Sequence, residues 1–197
     1  IASRTLARIS EASFDSTLQT VNDAWNWDAP LENYREKVSK EIAQLFATCG
    51  ELGAVIANLD EEITTKFTDF GMKLGLLQHF CRGLESLHNL PQAIDSTDIH
   101  QAISFPIACL LELHKNIADS ATSQRLRQAI ESSATDSNDW LLSIIKHHME
   151  QICSLAESVC QQYLILAQDA IPKEVSRTPW HRPMLELIDL AASWRVY

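Results

Sequence analysis

From Pro30 onward the apolar residues recur at intervals of three and four rather than two, which is the spacing of amphipathic helices and not of strands. Tyr34, Val38, Ile42, Leu45, Phe46, Cys49, Leu52, Val55 and Ile56 form one such stripe and predict a helix from about Leu31 to Asn58. Gly50 and Gly53 fall inside it. Glycine costs about 1 kcal/mol relative to alanine in a helix interior, so the pair reads as permitting close helix packing rather than ending the element. Asp60, Glu61 and Glu62 suit the positive end of the next helix, which runs through Phe67, Phe70, Leu74, Leu77 and Phe80 to about Leu87. Gly71 and Gly75, four apart, leave a smooth patch on one of its faces.

Pro91 and its polar neighbours make His88 to Asp95 a loop, after which Thr97 or Asp98 caps a helix reaching about Asn116. Pro106 is expected to kink that helix. A shorter helix follows from about Ser120 to Ser133. The polar run Ala134 to Asn138 then leads into a long helix from Asp139 to about Ala170, with Trp140, Ile144, Met149, Ile152, Leu155, Val159, Tyr163 and Leu166 on its buried face. A loop with Pro172 and Pro179 precedes a last helix from about Arg182 to Trp194. Upstream of Pro30, a helix from Ser3 to Ile9 resumes at Asp15, while Trp25-Asn26-Trp27 has no clear period. No strand pattern competes, so residues 1–197 read as a single all-α domain, a bundle of six or seven helices.

Composition agrees with helices. The 197 residues are 46% hydrophobic and 21% charged, with five glycines and six prolines, too few for a turn-rich β fold. Sixteen Lys plus Arg against 26 Asp plus Glu give a formal charge of -10, a field that repels nucleic acid and anionic membrane. No apolar run approaches the roughly 18 to 20 residues that cross a bilayer, and no basic, apolar and small-residue sequence marks a targeting peptide. A soluble, cytoplasmic protein is expected. Since the chain opens on Ile1, that residue is not expected to be the first codon. Five cysteines (Cys49, Cys81, Cys109, Cys153 and Cys160) lie along predicted helices with no CxxC pair, which reads as reduced core cysteines rather than a zinc site.

Four stretches, in order, resemble the trans-isoprenyl diphosphate synthases, the family of farnesyl, geranylgeranyl and longer polyprenyl diphosphate synthases. Tyr34 with Gln44-Leu45-Phe46 and Gly50-Glu-Leu-Gly53-Ala54 is similar to a family helix carrying a tyrosine, then Lys-Thr-Ala-x-Leu-Phe, then Leu-Gly-Ala. Phe70-Gly71-x-x-Leu74-Gly75 and Gln78 resemble the helix leading into the family's second aspartate-rich motif. Asp98-Ile99 with Ser104-Phe105-Pro106 resembles an Asp-Leu before Lys-x-Thr-Leu-Pro, and Arg182 to Tyr197 resembles the C-terminal helix. The likeness covers about Leu31 to Tyr197. It implies an isoprenoid-synthase-like helical bundle, represented here by its C-terminal two-thirds, with the N-terminal part outside these residues.

The reaction such a fold implies is ionisation of an allylic diphosphate, attack by isopentenyl diphosphate and loss of a proton. Magnesium ions held by two aspartate-rich motifs neutralise the departing diphosphate, and carboxylates at i, i+1 and i+4 share the helix face that binds them. Here the second motif's window is Cys81-Arg82-Gly83-Leu84-Glu85-Ser86, in a register uncertain by one residue, and Glu85 is its one acid. Arg82 adds a repulsive charge. The first motif is either lost or lies upstream of Ile1, because Asp15, Asp23 and Asp28 do not cluster. The implied diphosphate-binding Lys-Thr pair aligns with Glu41-Ile42, with Lys40 one residue, or about 100° of helix, away. The lysine before Thr-Leu-Pro is replaced by the neighbourhood of His100, Gln101 and Ala102.

Three site assignments follow from the resemblance: Lys40, Gln78 and Arg82 as diphosphate contacts, Glu85 as a metal ligand, and no catalytic residue. Magnesium is implied if the protein is active, and no cofactor otherwise. Asn138-Asp139 with Ser143 faintly matches a cyclase metal triad, but Leu142 and Lys146 hold its other positions and helix capping explains the pair. Adjacent His147 and His148 diverge on a helix and read as surface residues. Asp95 and Asp98 read as caps. Three functions stay open: an accessory, non-catalytic subunit of a homo- or hetero-dimer with a prenyltransferase-type subunit; a diverged active prenyltransferase; and a helical interaction module without an isoprenoid ligand.

Overall fold

Proline has no N–H to donate and a fixed φ, which suits the first position of a helix. Pro30 accordingly opens α1 (Pro30–Val38) in the computed structural model of the chain. The structure describes residues 7, 28–88, 104–115, 121–131 and 135–193. After α1 come a π-helical turn (Ser39–Ala43), α2 (Gln44–Ile56), α3 (Glu61–His88), α4 (Phe105–His114), α5 (Ala121–Glu131), α6 (Thr135–His147), α7 (Met149–Asp169) and α8 (His181–Ala191). Among the described residues there is no strand, and no helix is long and apolar enough to cross a membrane. The expected helix at Ser3–Ile9 is described at Ala7 alone, which is helical. The expected features at Asp15, at Trp25 to Trp27, at 89–95 and at Thr97 and Asp98 lie outside the described residues. Packing gathers the chain into two compact units: Ile1–Ala24, Arg35–Cys81 and Cys160–Tyr197 form the first, and Trp25–Tyr34 with Arg82–Val159 the second.

In the first unit the predicted continuous helix over 31–58 is interrupted. Gln44 N–H donates to the Ser39 carbonyl five residues back, and Ser39 Oγ donates to the Arg35 carbonyl at 2.8 Å. A π turn inserts one residue into the helical repeat, so the inward face slips by one position. Val38 is buried, but the next inward residues are Ala43, Ala47 and Ala54, while the expected stripe members Leu45, Cys49 and Ile56 are exposed. The correction has a clear cause: small residues face inward because a neighbouring helix comes very close. A Cβ at Gly71 on α3 would stand 2.8 Å from the Phe46 carbonyl carbon, and one at Gly75 2.9 Å from Ala43 Cα. Gly50 is likewise closed off, with a built Cβ 2.9 Å from the Phe67 carbonyl carbon.

Gly53 departs from expectation, since nothing lies within 4 Å of a Cβ built there. Gly53→Ala therefore gains helix propensity at no steric cost and raises the unfolding free energy by about 0.5 to 1 kcal/mol, read as a higher urea midpoint at unchanged m. The helix ends as a Schellman motif. Asn58 takes φ 55°, Asn58 N–H donates to Val55 O, and Leu59 N–H donates to Ala54 O, both at 3.0 Å. Asp60, expected at the positive end of α3, also caps it, its Oδ1 accepting from Ile63 N–H at 2.8 Å.

Downstream, Phe80 meets Tyr163 at 4.9 Å between ring centroids. Lys66 ties the segment after α7 to α3 by bonding Glu174 at 2.7 Å and Glu62 at 2.9 Å, and these hydrogen bonds hold its ammonium above the usual lysine range. On α8 the inward residues are Met184, Ile188 and Ala191, whereas Leu187 and Leu190, and Trp180 just before the helix, are exposed.

In the second unit α4 begins at Phe105, with Ser104 extended at φ -81° and ψ 162°. Pro106 therefore occupies the first turn, where its missing N–H costs nothing, and does not kink a longer helix as expected. The predicted helix over 139–170 is also two elements. α6 starts at Thr135, so Asn138 and Asp139 lie within the helix rather than capping it, and His148 separates α6 from α7. Inward positions on this pair are Leu141, Ile145, Ile152 and Ala156, of which Ile152 belongs to the expected stripe and the other three lie one step from it, and Arg125 of α5 lies 4.6 Å over the Trp140 ring. None of the five cysteines is in a disulfide, and Cys81, Cys109 and Cys160 are buried as predicted. Cys49 is exposed. Burial, followed by the charge of Glu157, raises the half-buried Cys153 thiol.

Candidate functional site

The window that resembles a metal motif lies on α3, whose inward positions are Leu77, Cys81, Leu84 and Leu87. Gln78, Arg82 and Glu85, at i, i+4 and i+7, share another face of the same helix. Gln78 is half-buried, and Arg82 and Glu85 are exposed. Glu85 is thus the one carboxylate the window presents, beside a guanidinium.

The rest of the window is committed to packing. A Cβ at Gly83 would fall 2.7 Å from Phe105 Cδ1 and 2.8 Å from Phe105 Cβ. Phe105 is buried and stacks on Tyr34, ring centroids 5.9 Å apart. Ser86 Oγ donates to the Gly83 carbonyl at 2.7 Å, turning that polar side chain back onto its own helix. Magnesium requires several anionic oxygens in octahedral reach. Among the described residues no group of three or more His, Cys, Asp or Glu is placed to hold a metal ion, so these side chains do not fit it. Asp28, just before α1, is exposed, and Asp15 and Asp23 lie outside the described residues.

Lys40 is exposed and sits in the π turn. This changes the meaning of its one-residue offset. In a π turn residue i stacks on i+5 much as i stacks on i+4 in an α-helix. Lys40 thereby stands to Leu45 as a residue one place later would in unbroken helix, which is where the resemblance puts a lysine. No apolar period signals a π turn, so spacing alone missed it; the serine at position 39, able to back-bond, is the nearest sequence cue.

No known family model matches the chain, and no curated protein does either. Solved structures do. A polyprenyl synthase from Roseobacter denitrificans superposes with a TM-score of 0.76 at 17% identity, over 96% of this chain and 62% of that one. The fold is that of the isoprenyl diphosphate synthases. A geranylgeranyl pyrophosphate synthase from Lactobacillus brevis gives 0.75 at 14% identity, over 96% and 58% of the two chains. A polyprenyl synthase from Caulobacter crescentus, complexed with calcium and isoprenyl diphosphate, gives 0.69 at 19% identity, over 98% and 58%. This chain therefore spans about three-fifths of the length of those synthases, and at such identities the likeness is one of fold. The exposed and packed residues of 81–86 are this chain's own.

Proposed function

We propose that this protein is an isoprenyl-diphosphate-synthase-like subunit without a magnesium site of its own, which assembles with a prenyltransferase-type subunit and supports or regulates it. The observation that carries this reading is the contact between Gly83 and Phe105: the segment that resembles the metal motif is filled by an aromatic side chain and offers one exposed carboxylate. Diphosphate departure leaves several negative charges behind, and a single carboxylate beside Arg82 cannot gather the cations to offset them. The outward apolar residues Leu45, Ile56 and Leu59 support an assembled state, since a helix apolar on both sides gains by covering both. Purified alone with magnesium, farnesyl diphosphate and isopentenyl diphosphate, the protein is expected to give no prenyl product above a protein-free control. Clear turnover would overturn the reading.

A second reading, a diverged active prenyltransferase, draws on Lys40. Its place in the π turn, together with Gln78 in the same unit, supports retained binding of an allylic diphosphate, a property either reading can accommodate. Charge-assisted contacts to phosphate oxygens contribute about 1.5 to 3 kcal/mol, so Lys40→Met is expected to weaken farnesyl diphosphate binding about ten- to a hundredfold in calorimetry. Unchanged affinity in that variant removes Lys40 from the site.

A further inference from the structure

The last helix of the first unit carries a second apolar stripe. Met184, Ile188 and Ala191 of α8 face the core, yet Trp180, Pro183, Leu187 and Leu190 recur at intervals of three, four and three on its exposed side. Trp180 precedes the helix but has helical dihedrals, φ -80° and ψ -15°, so the spacing holds through it. Single exposed apolar side chains are ordinary on a protein surface, but Trp180 at 71%, Leu187 at 48% and Leu190 at 71% exposure on one seam are not. Three-four spacing is that of a helix lying side by side with another helix. The backbone that presents the indole is also fixed in advance: Thr178 Oγ1 accepts from Trp180 N–H at 3.3 Å and donates to the Val175 carbonyl at 2.8 Å.

The charges on α8 point to what covers that stripe. Its first turn holds Arg182 and no acid, and its last turn holds Asp189 and no base. That is the reverse of what the helix macrodipole favours, so these charges are not placed for α8 standing alone. Against an antiparallel copy of itself they are complementary. With Trp180 set over Leu190 of the second copy and Pro183 over Leu187, Arg182 comes level with Glu186 and Asp189 of that copy, and the two-fold repeats the pairs. Glu186 lies nearest the axis and is already bonded by Arg182 of its own chain at 2.9 Å, so the copies meet there as ion pairs and not as bare carboxylates. A parallel copy would set Arg182 beside Arg182 and Asp189 beside Asp189, like charge against like.

We propose that α8 is a self-association surface: two copies of this chain pair through antiparallel α8 helices about a two-fold axis, covering Trp180, Leu187 and Leu190. This goes beyond the accessory role, needs no other protein, and stands or falls apart from whether the chain turns over prenyl substrates. Three large side chains a side fall short of a standard interface, so the dimer is weak, with a dissociation constant of about 10 µM.

Sedimentation equilibrium of the whole chain from about 1 to 300 µM tests it. The weight-average mass is expected to rise from 22.2 kDa toward twice that value. Leu187→Asp and Leu190→Lys each place a charge on the seam and are expected to weaken the dimer by at least about thirtyfold. Both side chains are exposed, so helical content by far-UV circular dichroism should stay at the wild-type level, and if one variant does not fold the other carries the test. Arg182→Glu is expected to weaken the dimer about tenfold. Reversing all three charges, Arg182→Glu with Glu186→Arg and Asp189→Arg, should bring it back to within about threefold of wild type. A merely sticky surface would not follow that reversal. A wild-type chain that stays monomeric throughout, a dimer that Leu187→Asp and Leu190→Lys leave intact, or a triple variant no tighter than Arg182→Glu overturns the proposal.

Discussion

Gly71→Val is expected to lower the unfolding free energy by about 3 kcal/mol, more than an ordinary overpacked site, because the obstacle is backbone. The added Cβ would sit 2.8 Å from the Phe46 carbonyl carbon and 3.0 Å from Ala47 Cα, neither of which can rotate away as a side-chain end can. The helices would have to separate, uncovering the seam of Ala43, Ala47 and Gly75. For a chain of this length the melting temperature should drop by about 6 to 12 °C. Thermal unfolding followed by far-UV circular dichroism measures it, with Gly53→Ala as the control that moves the other way. Equal stability of Gly71→Val and wild type would mean that α2 and α3 do not pack this closely.

Gly83→Asp bears directly on the function. Adding one acid to the window that resembles a metal motif drives a charged side chain into Phe105, at a cost of about 2 to 4 kcal/mol. Phe105→Ala alone costs about 3 to 5 kcal/mol, since the ring is buried and stacked on Tyr34. Combined, the two substitutions should cost about 1 to 3 kcal/mol less than their sum, because the cavity left by the ring accepts the new carboxylate. Urea unfolding of the four proteins closes this cycle. Millimolar magnesium should leave the midpoint of Gly83→Asp where it is. A magnesium-dependent rise in that variant would show that the window lies open to the ion, against the proposed function.

Much of the fold was legible locally. Asp60 is a cap because a carboxylate satisfies free N–H groups, and Pro30 begins a helix because it has none to satisfy. Where expectation failed, the residues concerned were sensible on local grounds. Pro106 could as well kink a helix as start one, and Ser104 decides by being extended. Leu45, Cys49 and Ile56 make a better apolar stripe than Ala43, Ala47 and Ala54, yet the alanines face inward. The candidate site divides the same way. A shortage of acids between Cys81 and Ser86 is written in the chain, but the filling of Gly83 by Phe105, 22 positions later, is not.

Taken alone, the sequence determined that this protein is helical, where most of its helices end, and that its acidic window is depleted, because periodicity, caps and charge act within a few residues. Periodicity also placed Phe70, Leu74, Leu77 and Phe80 of α3 inside, but tertiary structure decided which side of α2 is inside. That choice depends on one residue inserted at Ser39–Ala43 and on glycines whose missing Cβ matters only when a particular carbonyl comes to rest against them. Such close approaches join residues distant along the chain, and spacing along one helix carries no information about what another helix brings to it.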